Sequence, residues 1–173
     1  MPEHEEIEEQ IHHAHEPFER TVAGTMAIIA ALLAVVSVLG QHFQADRLLA
    51  QQQASDQWAY YQAKDIRRYI AQTATDTLGV VKADRGAVDK YVEDSKKYKQ
   101  QGAEIQEKAR DFEKERDLNG KKAVRFHLAE VFLEVAIVLS SLAILTKRSP
   151  LFYGGALSAA VGVVIGLTSL AVA

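Results

Sequence analysis

The chain has 173 residues, no cysteine and a formal net charge of −3. The absent cysteines rule out disulfides, thiolate metal sites and cysteine nucleophiles, and so small a net charge gives no reason to expect a polyanionic partner. The average composition, 48% hydrophobic and 25% charged, hides a sharp segregation of the two classes along the chain.

Residues 1–21 form an acidic, His-containing tail, with seven Glu and one Arg in the first twenty positions. The run HHAHE at 12–16 is able to bind a transition metal adventitiously, but a solvated, flexible or weakly helical tail is the simpler expectation. Residues 22–40, VAGTMAIIAALLAVVSVLG, carry no charge. At 1.5 Å per residue they make ~28 Å of helix, enough for the hydrocarbon core of a bilayer. The acidic flank and the length of the run argue for a retained anchor over a cleaved signal. Ala23, Ala27, Ala30 and Ala34 recur at 4-3-4 spacing, which is a seam for close helix packing in lipid.

Residues 41–127 hold seventeen Lys/Arg against fourteen Asp/Glu and no proline. They predict an extramembrane, coiled-coil-like antiparallel hairpin of two long helices, about 42–78 and 87–127, turning near 79–86 at Gly79 and Gly86. In the second arm a 4-3 seam runs through Val88, Val92, Ser95, Tyr98, Gly102, Ile105, Ala109, Phe112, Arg116, Asn119, Ala123 and Phe126. The first arm is less regular, with Phe43, Leu48, Leu49, Ala54, Trp58, Tyr61, Ile66 and Ile70 as its apolar side. Within SDQWAYYQAKDIRRYI (55–70), Trp58, Tyr61 and Tyr69 read as an aromatic packing cluster. Nucleic acid is not an expected partner, because Asp56 and Asp65 interleave with Lys64, Arg67 and Arg68 and no basic stripe forms.

A second apolar run follows at 128–146 and a third at 151–173, joined by the short basic loop KRSP at 147–150. The whole chain therefore reads as all-α, with three transmembrane helices and a helical hairpin between the first and second. By the positive-inside rule, Lys147 and Arg148 favour the cytoplasm, which puts the N-terminus there and the hairpin in the periplasm. The third run carries Gly155, Ala159, Gly162 and Gly166 at 4-3-4 spacing, a second small-residue seam. His127, Glu130 and Glu134 fall on one side of the second run. Ionisable groups inside a span are costly and face protein or water, so these three are either a structural pairing, part of an ion or proton path, or a metal site closed by symmetry in an oligomer.

QWAYYQAKDIR after the anchor, HAHEPFER before it and AIVLSSLAILTKR in the second run resemble an uncharacterised bacterial membrane-protein family, a domain-of-unknown-function group. The resemblance covers nearly the whole chain. It implies an anchor, a helical extramembrane segment and a C-terminal pair of spans, and it implies no activity. No P-loop, dinucleotide glycine pattern, HExxH or nucleophile elbow occurs. The expectation is a non-enzymatic protein without a cofactor, in the bacterial inner membrane. Its partners are the bilayer and either copies of itself or other membrane subunits. It would serve as an oligomeric scaffold or accessory subunit, or else as an oligomeric channel or proton-coupled transporter built around Glu130 and Glu134.

Overall fold

The computed structural model describes residues 2–81 and 84–171, with side chains from 17 onward; the HHAHE run therefore lies outside the described side chains. Among the described residues the chain is helical, without strands: α1 (Pro2–Val80), α2 (Arg85–Thr146) and α3 (Ser149–Leu170). Each of the three contains a stretch long and apolar enough to cross a membrane, judged by length and composition. The first apolar run and the first hairpin arm are thus one uninterrupted helix. No Pro or Gly pair stands between them to break it, and Gly40 sits buried within it. The helical backbone also extends to Pro2, through the segment expected to be flexible. Pro17 lies inside α1, where its missing N–H removes one i→i−4 bond.

The turns are short. α1 ends at Val80 and α2 starts at Arg85, where Asp84 Oδ2 accepts from the Gly86 N–H at 3.1 Å. Between α2 and α3 only Lys147 and Arg148 intervene; Lys147 takes a left-handed φ of 55°, and Pro150 occupies the first turn of α3, where its lost N–H costs nothing.

The chain divides into two compact units, Met1–Gln44 with Asn119–Ala173, and Ala45–Leu118. In the first, the described part of α1 packs with α2 and α3 around Ile29, Leu33, Val36, Leu133, Ala136 and Ala159. α1 buries a 4-3 row of Val22, Met26, Ile29, Leu33, Val36, Gly40 and Phe43. Phe43 stacks on buried Phe126 at 5.5 Å between centroids, and Phe18 meets Phe152 edge-on at 6.1 Å. α3 lies so near α2 that a Cβ on Gly155 would stand 3.0 Å from the Ala136 carbonyl oxygen. One on Gly162 would stand 3.0 Å from the Ala129 carbonyl oxygen and 3.1 Å from Phe132 Cβ. Ser158 and Ser169 donate to the Phe132 and Lys122 carbonyls at 2.7 and 3.2 Å. Ser140 is fully buried and its hydroxyl has no partner; it contributes small size where Gly155 arrives.

In the second unit, α1 and α2 pack as an antiparallel pair. α1 presents Ala50, Ala54, Gln57, Tyr61, Lys64, Arg68, Ala71, Thr75 and Leu78, all buried or half-buried at 3-4 spacing. α2 presents the row expected from Val88 to Phe112. Of the apolar side expected on α1, Ala54, Trp58 and Tyr61 turn inward. Leu48, Leu49, Ile66 and Ile70 do not: they are 55–62% exposed.

Gly162→Val should lower the stability of the purified protein in detergent by about 1–3 kcal/mol through overpacking against the α2 backbone. Gly24→Ala, where the added Cβ meets nothing within 4 Å, should leave it unchanged or raised. Unfolding followed by circular dichroism compares the two.

Candidate functional site

Three groups of side chains carry the functional possibilities, and each belongs to one unit. In the first unit, His127 Nδ1 lies 2.9 Å from Glu130 Oε2. The His127 side chain is 80% exposed and that of Glu130 20%. The Ser37 hydroxyl of α1 lies beside the same carboxylate, and Gln41 Nε2 donates to Ser37 Oγ at 3.4 Å. Glu130 is therefore a pinned group, held by its own helix and by α1.

Glu134 is not. It stands on the exposed side of α2, next to exposed Val131, Val135 and Val138, and no hydrogen bond or ion pair engages it among the described residues. The three residues that share one side of the second run thus comprise a pair at the edge of the run and, deeper within it, a carboxylate without a hydrogen bond among the described residues. No group of three or more His, Asp and Glu able to hold a metal occurs among the described residues.

The two small-residue seams also part company. Gly155, Ala159, Gly162 and Gly166 are buried against α2, with Gly166 also near Val36 of α1. Ala23, Ala27, Ala30 and Ala34 are exposed, because α1 uses the neighbouring row that begins at Val22 for its contacts inside the chain.

In the second unit, Trp58 and Tyr61 meet edge-on at 5.7 Å between centroids. Trp58 Nε1 donates to Glu113 Oε1 of α2 at 2.9 Å, and the Tyr61 ring lies over Gly102, where a Cβ would come 3.5 Å from it. Tyr69 is not part of this cluster. It is 56% exposed, with the Arg68 guanidinium 4.6 Å from its ring centroid. Tyr98 of α2 is closer to the place it was expected to fill: Lys64 Nζ sits 5.6 Å from its centroid and 5.2 Å from that of Tyr60. Tyr61, Asp65, Arg68, Tyr98, Lys99 and Gly102 line a cavity of about 210 Å³. There Arg68 Nη2 pairs with Asp65 at 2.8 Å, while Arg68 Nε and Gln101 Oε1 are buried without partners. A larger apolar groove, about 620 Å³, opens on the exposed side of α1 between Ile66, Ile70, Thr77 and Tyr91. Two of its lining residues, Ile66 and Ile70, are among those expected on the inner side of α1.

The outward face of α2 in this unit is ordinary solvated helix. Lys114 pairs with Asp111 at 2.8 Å, and that hydrogen bond holds its ammonium above the usual lysine range; both groups are open to water, so the pair adds little stability.

Residues 18–172 match the family model described as Domain of unknown function (DUF4337), and the chain belongs to that family. No curated protein and no solved structure matches it.

Trp58→Phe should cost about 1 kcal/mol of stability, by removing the donor to a half-buried carboxylate. Glu113→Gln keeps an acceptor there and should cost less. Thermal unfolding by circular dichroism tests the order of the two, and Trp58, the only tryptophan, reports the loss of the contact in Glu113 variants by its emission.

Proposed function

We propose that this chain is a non-enzymatic integral membrane protein that works by helix–helix association, as an oligomeric scaffold or as an accessory subunit of a larger membrane complex. The observation that carries the reading is Glu134: an exposed carboxylate inside an apolar run, without a hydrogen bond or ion pair among the described residues. In hydrocarbon an ionisable side chain is costly and is found against protein or water. A neighbouring chain supplies what this one lacks. The exposed alanine seam of α1 supports the same reading, since small residues let a second helix approach closely where lipid gives no hydrophobic drive. On this reading the protein sits in a bacterial inner membrane, its N-terminus cytoplasmic and the 41–127 hairpin periplasmic, an orientation supported by Lys147 and Arg148 in the short loop.

The same carboxylate also supports a second reading, an oligomeric channel or proton-coupled transporter in which Glu134 borders a path between chains and the His127–Glu130 pair lies at its mouth. Two measurements on the full-length protein separate them. On the scaffold reading, the native mass in mild detergent is that of several chains, Glu134→Leu lowers it, and Glu134→Gln, which keeps a hydrogen-bonding group, preserves it without altering ion or proton flux in liposomes. A flux change from Glu134→Gln with assembly intact would establish transport instead.

A further inference from the structure

Within residues 45–118 the two helices expose very different surfaces. Every exposed residue of α2 between 85 and 117 is charged except Gly86, Gln100 and Ala103. On α1 between 48 and 80 the exposed residues include only three charges, Asp56, Arg67 and Asp76. The exposed surface of α2 is charged almost throughout, and that of α1 is mostly uncharged.

The exposed side of α1 has an order of its own. Ala63, Ile66, Ile70, Thr73, Thr77 and Val80 recur at 3-4 spacing, and all are exposed. Each follows by two residues a position of the inner row, Tyr61, Lys64, Arg68, Ala71, Thr75 and Leu78. Two residues turn an α-helix by about 200°, so α1 bears two heptad seams on opposite faces. α2 covers the first. Ile66, Ile70 and Val80, at 59%, 62% and 83% exposure, stand on the second, beside the 620 Å³ groove. The exposed seam is the more apolar of the two.

We propose that this outer seam is where copies of the chain meet: α1 of one copy packs against α1 of the next, in parallel, with each α2 on the outside. The proposal deepens the scaffold reading and rests on it, because copies anchored in one membrane share an orientation, and parallel pairing follows. Charge fits a second copy. In a parallel seam a flanking residue faces the one five further along on its neighbour. Gln62 then meets Arg67, Tyr69 meets Ala74 and Asp76 meets Val81, so no like charges oppose. Size also favours a copy. From Ala63 to Val80 the stripe is ~26 Å long and ~10 Å wide, roughly a third of the ~800 Å² that each partner gives to an ordinary stable interface. A partner docking here alone would be held weakly, whereas a copy brings its spans as well and is confined to the same membrane, which raises its effective concentration. Five of the six seam positions are β-branched, at both kinds of seam position, a pattern that favours three or four strands over two.

The natural absence of cysteine makes the test direct. Single replacements Ile70→Cys and Thr73→Cys on the outer seam, and Lys97→Cys and Glu104→Cys on exposed α2, are placed in the full-length protein. Mild oxidation in membranes should give disulfide-linked dimers at Ile70→Cys and Thr73→Cys and at least tenfold less at the α2 positions, with a wild-type native mass of three or four chains. Equal linking at all four positions, or none, overturns the seam. If the particle still holds several chains, association runs through the spans, and the scaffold reading survives alone. Capture of a different polypeptide by the seam cysteines, without self-linked dimers, overturns a second copy as the occupant. A particle of one chain overturns both readings.

Discussion

The approach of α3 to α2 at Gly155 and Gly162 is the contact on which the unit formed by the apolar runs depends. Backbone oxygens of α2 lie 3.0 Å from where side chains on those glycines would begin. Only at that distance do Ser158 and Ser169 reach the α2 carbonyls, and only then are Ala129, Leu133 and Ala136 fully buried. Where the surroundings are lipid, burying an aliphatic side chain against protein gains little over leaving it in hydrocarbon, so fit and polar contacts set the stability. The α2 residues in question are mostly alanine for this reason: each removed methyl lets two backbones come nearer.

The hairpin unit solves a related problem with different chemistry. Ala50, Ala54, Ala71, Gly102 and Ala109 bring its helices close, but Lys64, Asp65 and Arg68 interrupt the apolar row. Arg68 pairs with Asp65 within one turn, though its Nε stays buried without a partner, and Lys64 lies over aromatic faces. The result is a pair of helices whose inner seam is thinner in apolar area than one of its outer faces. A helix pair gains its stability chiefly from the apolar face it covers. This pair covers the poorer face and leaves the richer one open.

How much of this the sequence discloses depends on which signal carries each feature. The α2 row from Val88 to Phe126 is legible because its spacing holds through five polar or glycine positions, and every member is buried or half-buried. The α3 seam is legible because glycine at 4-3 spacing in an apolar helix has few other uses. The continuity of α1 is harder to foresee, since composition shifts at residue 41 while helix propensity does not. The α1 arm misleads for a specific reason. Ranking its residues by hydrophobicity selects Leu48, Leu49, Ile66 and Ile70, yet α2 packs on alanines and on the stems of Lys64 and Arg68. Long charged side chains can line a contact with their methylenes while their heads find partners at its edge. Tyr69 shows the same limit: helix spacing sets it near Trp58, yet α2 does not cover it, and its ring stays exposed under the Arg68 guanidinium.

Periodicity correctly puts His127, Glu130 and Glu134 on one side of α2, but a side of a helix is wide. Glu130 lies 40° around from Glu134 by helical geometry, and that is enough to turn one carboxylate toward Ser37 and leave the other outside. The difference between a satisfied group and an unsatisfied one is made by the neighbouring helix, which no spacing within α2 encodes. An unpaired carboxylate among Val131, Val135 and Val138 is stable only if a proton, water or another chain reaches it. Protonation alone would make it a neutral donor and acceptor still lacking a partner, and water would need a polar lining that those valines do not give. On the scaffold reading proposed above, a second helix would meet that need, and the alanine row exposed on α1 and the aliphatic row exposed on the hairpin are surfaces of the kind it would require.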